Sequence, residues 1–189
     1  MIKIRDKKDS VAKMKELRLN YFPLDVFATS DIEGIKKFFD KYPAKEYVLR
    51  NTDKPDGEYF FVSSFEEALP LLSKFGKRVT VDVSYNEYKE DIVLVGDVKV
   101  TRDGFREAID LIARDDEEGT NRNVYDNPKY NIHTSLDDDK VWRIPGFPKL
   151  MAYISEHELY NMIIEFIVYD CKVGINKENV VIVEIRTDY

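Results

Sequence analysis

Apolar and polar positions are patterned most clearly at the C-terminal end of the chain. Two β-branched runs, Ile163–Asp170 and Val180–Tyr189, flank a connector, Cys171–Asn179, that contains Gly174 and Asn176. Such a pattern predicts a β-hairpin with a longer loop. Upstream, Val11, Met14, Leu17 and Leu19 recur at near-helical spacing after Asp9-Ser10, which predicts a short amphipathic helix. Residues 20–27 read as an extended connector because Pro23 biases Phe22 toward β. Ser30 and Glu33 have the spacing of a capping box, and Ile32, Ile35, Phe38 and Phe39 follow as the stripe of a second helix.

Glu46–Asn51 and Glu58–Val62 predict a hairpin around the turn Asp53-Lys54-Pro55-Asp56-Gly57. Ser64 and Glu67 repeat the capping-box spacing and open a helix running through Phe75, which Pro70 should kink or shorten. Val79, Val81 and Val83 alternate with polar residues in a half-buried strand, and residues 91–101 form another. Residues 105–114 fit either state: Phe105, Ala108, Ile109, Ile112 and Ala113 are helically spaced, whereas Asp103-Gly104 could equally start a strand. Residues 115–126 are acidic, then polar and aperiodic, and predict a loop, with a short strand at 130–134. Pro148 opens a last helix with Leu150, Met151, Ile154 and Leu159 inward.

Strand pairs separated by single helices imply an α+β fold with a mostly antiparallel sheet, helices on one side, and a terminal hairpin. Residues 1–189 read as one domain, with a division into lobes of about 1–85 and 86–189 as the alternative. Apolar residues at 43% imply a real core, and 12 Tyr with 11 Phe favour a strand-rich one. A net charge of −7 argues against broad nucleic-acid binding. One cysteine, Cys171, excludes an intramolecular disulfide, and two histidines leave little for a Cys/His zinc site. No run approaches the length of a membrane span, and the N-terminus lacks the apolar segment of a secretion signal, so a cytoplasmic setting is expected.

Candidate chemistry concentrates where charges interrupt apolar strands. Glu165 and Glu184 lie within Ile/Val runs, where a carboxylate is costly unless paired or bound to a cation. Arg186 follows Glu184 by two positions and therefore shares its strand face. Two acids from adjacent strands beside a guanidinium suit a divalent cation carrying a phosphorylated ligand, although a solvated charged row gives the same pattern. Arg50, before the turn that holds Lys54 and Gly57, is a second phosphate candidate; an ordinary hairpin with charged flanks is the simpler reading. The strand Val79–Tyr85 ends where backbone groups could meet an adenine edge, which makes Asp82 and Tyr85 candidate nucleotide contacts. His133 and His157 have no partners at ligand spacing and read as surface or packing residues.

The order of these elements resembles the ATP-grasp fold, most closely the nucleotide-binding domain of phosphoenolpyruvate synthase and pyruvate phosphate dikinase. Tyr47-Val48-Leu49-Arg50-Asn51-Thr52 with Gly57 is similar to that family's Val-Arg-Ser-Ser strand and glycine loop. Ile164-Glu165-Phe166 is similar to its Asp-Ile-Glu-Trp, and Val183-Glu184-Ile185-Arg186 to its Leu-Gln-x-Arg. The resemblance implies magnesium on Glu165 and Glu184, ATP phosphates on Arg50 and Arg186, and an ATP-dependent ligase or phosphotransferase. Arg186 stands where the wider superfamily has a metal-site asparagine.

Two other readings use the same residues. Asp170 followed by Glu184-Ile185-Arg186 resembles the Asp…Glu-x-Lys signature of magnesium-dependent nucleases, although arginine cannot act as that signature's base. A non-catalytic interaction module, with the terminal strand at a sheet edge or in a homo-oligomer interface, is the third.

Overall fold

In residues 22–87 four strands and two helices follow one another: β1 (Leu24–Ala28), α2 (Ile32–Lys41), β2 (Tyr47–Asn51), β3 (Tyr59–Val62), α3 (Phe65–Leu71) and β4 (Arg78–Val83). This is one of two compact units in the chain. The computed structural model describes residues 4, 6–51, 58–104, 106–115 and 128–187. The sheet order is β1-β4-β2-β3, every pair antiparallel. β1 and β2 are therefore parallel, joined through α2 with β4 inserted between them, and β3 and β4 are joined likewise through α3 across β2.

Strand alternation separates the two faces of this sheet. Tyr47, Leu49, Val62, Val79 and Val81 join Ile35, Phe38 and Phe39 of α2 and Ala68 of α3 in one core. Arg50 and Asp82 are offset by one residue from these and occupy the opposite face. Asp31, not Ser30, caps α2 by accepting from the Gly34 amide at 3.0 Å, and Ile32 lies outside the buried stripe at 39% exposure. Ser64 caps α3 as its spacing predicts, while Glu67 accepts from the Ser63 amide. Pro70 falls in the last turn of α3, and the chain continues as a 3₁₀ turn over Leu72–Lys74.

The other unit joins the residues up to 21 with those from 88 onward. It contains α1 (Lys7–Glu16), β5 (Ile92–Asp103), β6 (Arg106–Arg114), β7 (Tyr130–Ser135), α4 (Phe147–Glu156), β8 (Met162–Val173) and β9 (Glu178–Thr187). Its sheet is antiparallel in the order β7-β6-β5-β8-β9. The ambiguous segment is thus a strand, with Ile109, Leu111 and Ala113 buried at period two. Phe105 and residues 116–126 of the expected loop lie outside the described residues. Val98, Ile164, Phe166, Val168, Val180 and Ile185 line one buried face. Gly146 (φ +73°) starts α4 against that face, where a Cβ would come within 2.5 Å of Val168 Cγ2. Phe147, Leu150 and Ile154 of α4 are buried, each contributing roughly 1.5–3 kcal/mol.

An outer strand exposes a row of backbone donors unless something covers it. The N-terminal segment supplies the cover for β9. Ile182 donates to the Asn20 carbonyl at 2.8 Å, Ile185 to Ser10 Oγ at 2.9 Å, and Thr187 to the Ile4 carbonyl at 3.5 Å. α1 stops at Glu16, and Leu19 is buried beyond it after Arg18 adopts φ +53°.

Candidate functional site on the β5–β8–β9 face

The face of the larger sheet opposite its apolar side carries the charges. Antiparallel register sets Asp97 of β5 opposite Glu165 of β8, and Glu165 opposite Glu184 of β9. One step along, Lys99, Ile163 and Arg186 form the next row. A bulge follows Glu165, because Phe166 pairs with Ile182 rather than Val183. The acids expected to meet across the terminal hairpin therefore do meet, with a third acid beside them.

Cations hold this row together. Arg186 reaches across the sheet, its Nη2 donating to Asp97 Oδ2 at 2.9 Å and its Nη1 lying 3.8 Å from Glu165 Oε2. Lys7, at the start of α1, donates to Glu184 Oε2 and to the Val183 carbonyl, both at 3.2 Å. Burial is the main influence on Glu165 and pushes its carboxyl above the ordinary value of 4.5. Lys7 and Arg186 oppose that rise, whereas Asp97 and Glu184 add to it. A carboxyl with a raised folded pKa gives stability that is fully present below its unfolded pKa and is lost as pH rises through the folded value. Glu165→Gln should therefore gain stability relative to the unaltered chain as pH rises above the ordinary carboxylate value. Urea unfolding at several pH values checks this, and a difference that is flat with pH would contradict it.

The same face continues into a cavity of about 290 Å³ lined by Asp97, Lys99, Asp110, Ile112, His133 and Ile163, among others. His133 Nδ1 bonds Asp110, and its side chain is 81% exposed. Asp97, Lys99 and Lys7 were missed in the sequence. For Asp97 and Lys99 a signal was present, since they alternate with the buried Val98 and Val100 inside the predicted strand 91–101. Lys7 offered none, because its partner is 177 residues away.

The remaining candidates lie in residues 22–87. Arg50 pairs with Asp82, Nε to Oδ2 at 3.1 Å, so two expected nucleotide contacts contact each other. Tyr85 sits 6.4 Å from the Phe22 ring. At the end of β4 the Val83 and Ser84 amides donate to the carbonyls of Pro23 and Glu46. Lys54 and Gly57 lie outside the described residues. The nuclease signature is not assembled, because Glu184 faces Glu165, and Asp170 is exposed five residues further along β8, roughly 17 Å away at strand rise.

Magnesium takes one or two protein carboxylates and leaves its other positions to water and phosphate oxygens. Glu165 and Glu184, cross-strand neighbours, have that donor chemistry, while of the acidic row Asp97 alone lines the cavity. Among the described residues no group of three or more His, Cys, Asp or Glu is placed to hold a metal. Nor is any described helix long and apolar enough to cross a membrane.

No family model matches the chain, and no curated protein does. Solved structures do. D-alanyl-alanine synthetase A from Vibrio cholerae matches 96% of this chain at 14% identity with a TM-score of 0.55, over 54% of its own length. D-Alanine-D-alanine ligase from Helicobacter pylori matches 96% at 8% identity and a TM-score of 0.56, over 53% of its length. N5-carboxyaminoimidazole synthase from Aspergillus clavatus, in complex with ADP and 5-aminoimidazole ribonucleotide, matches 97% at 10% identity and a TM-score of 0.55, over 44% of its length. The chain thus spans about half the length of the structures it resembles. These likenesses show the fold, which is that of ATP-grasp enzymes. They do not carry the narrower likeness to phosphoenolpyruvate synthase.

Proposed function

We propose that this chain binds a magnesium nucleotide on the β5–β8–β9 face and serves an ATP-dependent ligase or phosphotransferase. The observation that carries the reading is the row Asp97–Glu165–Glu184, set by strand register, with Asp97 and Lys99 at the edge of the neighbouring cavity. Glu165 and Glu184 would hold the cation. Bound there, magnesium would neutralise charge that develops on transferred phosphoryl oxygens. Arg186 offers a planar guanidinium suited to a phosphate oxygen, and Lys99 a compact cation on the same face. Arg50, paired with Asp82 within residues 22–87, is a phosphate candidate taken by itself, as are Lys54 and Tyr85 for a nucleotide. The ADP in the carboxyaminoimidazole synthase structure supports a nucleotide as the ligand class. The setting is cytoplasmic in this reading, and the partner is a small molecule rather than nucleic acid or membrane.

Equilibrium dialysis with ATP tests it. ATP should be retained when magnesium is present, and Lys99→Ala should weaken retention about tenfold, which is about 1.4 kcal/mol. Absence of retention at about 1 mM MgATP, a typical substrate concentration, would refute the reading.

A further inference from the structure

The acidic row is already provided with cations. Arg186 contacts Asp97 and approaches Glu165, and Lys7 contacts Glu184, so two cations face three carboxylates. These side chains are well covered, with exposures of 10% for Asp97, 19% for Glu165 and Glu184, 24% for Lys7 and 28% for Arg186. Counted over these five side chains with every one ionised, the charge is −1, and Lys99 in the next row adds a further cation nearby. A divalent cation arriving alone would turn that charge to +1 and set three positive centres side by side, where partial burial weakens screening. It would also have to compete with Lys7 for Glu184 and with Arg186 for Glu165. A polyphosphate removes both obstacles, because its oxygens accept from guanidinium and ammonium while the metal takes the carboxylates.

We infer that Arg186 and Lys7 are resident counter-ions of the acidic row, and that they make divalent-cation binding at Glu165 and Glu184 depend on a polyphosphate ligand. Lys7 thereby becomes a specificity-determining residue of the site, contributed by the first residue of α1. The inference rests on the magnesium-nucleotide reading, but its main test does not.

Manganese is the probe, and its free concentration is read from the solution electron paramagnetic resonance signal. The unaltered chain should show no saturable binding of Mn2+ alone up to about 1 mM, the weak end of protein sites for divalent cations. Lys7→Met and Arg186→Asn, each confirmed as folded by circular dichroism, should bind Mn2+ alone at least tenfold more tightly. Lys7→Met alone decides the question if Arg186→Asn fails to fold. In the unaltered chain, Mn2+ should also strengthen binding of a non-hydrolysable ATP analogue about tenfold or more, and this coupling should shrink in Lys7→Met. Binding of Mn2+ alone to the unaltered chain below about 100 µM, well inside the range of dedicated sites, overturns the inference. So does a folded Lys7→Met variant with no gain. Failure of the analogue to bind under any condition refutes the nucleotide reading instead, and the comparison with Mn2+ alone still judges the counter-ions.

Discussion

Asn20→Ala is expected to lower the unfolding free energy of the unit that contains β8 and β9 by about 3–5 kcal/mol. Asn20 is fully buried, and its amide closes the tip of the terminal hairpin. Nδ2 donates to the carbonyls of Val173 at 3.0 Å, Val180 at 2.9 Å and Glu178 at 3.3 Å, and Oδ1 accepts from the Asn176 amide at 2.9 Å. The turn is shaped around this side chain. Gly174 has φ +76°, and a Cβ there would come within 2.4 Å of Asn20 Oδ1. Truncation orphans several backbone groups at once, each worth about 1–3 kcal/mol when left unsatisfied. Asn20→Asp should be at least as damaging, since a second oxygen would then face the carbonyls. The chain's single tryptophan, Trp142, lies in this unit and reports its unfolding in urea by fluorescence. A loss below about 1 kcal/mol, the typical net worth of one hydrogen bond, would mean that the tip does not depend on Asn20.

The second large effect concerns ligand affinity. Replacing both Glu165 and Glu184 by glutamine keeps their shape and removes their charge. Affinity for MgATP should fall about 100-fold, or about 2.7 kcal/mol, while affinity for metal-free ATP changes little. The contrast arises because glutamine is a poor ligand for a hard dication, whereas the phosphate contacts assigned to Arg186 and Lys99 persist. An equal loss for both forms of ATP would show that the acids organise the sheet rather than hold a cation. Competition against a fluorescent ATP analogue, with and without magnesium, gives both affinities.

Local signals made much of this fold legible. The β8–β9 hairpin was readable because two β-branched runs bracket Gly174 and Asn176, and the register that follows brings Glu165 opposite Glu184. Ser64 was readable as a cap because its partner lies three residues away. Failures occurred where two local patterns competed or where the partner was distant. Ala108, Ile109, Ile112 and Ala113 satisfy helical spacing, yet Ile109, Leu111 and Ala113 satisfy strand alternation, and pairing with β5 and β7 decides for the strand. At α2 two adjacent polar residues could cap, and the chain uses Asp31 rather than Ser30. Residues 20–27 gave no strand signal, although Leu24–Ala28 pairs with β4, because Pro23 dominates the local reading. Asn20, Ser10 and Lys7 act on β8 and β9 from more than 150 residues away in sequence, and nothing in their own neighbourhoods announces those roles.

The central claim is that the acids of β8 and β9 hold a magnesium nucleotide, and thermal unfolding with ATP and magnesium tests it most directly. Ligand at 100 times its dissociation constant should stabilise the chain by roughly 2.7 kcal/mol. At this chain length that raises the midpoint by about 5–10 °C. The account predicts such a shift with MgATP, a smaller one with ATP alone, and loss of the magnesium-dependent part in the Glu165→Gln/Glu184→Gln variant. An unchanged midpoint at saturating MgATP, or a full shift that survives in that variant, would contradict it.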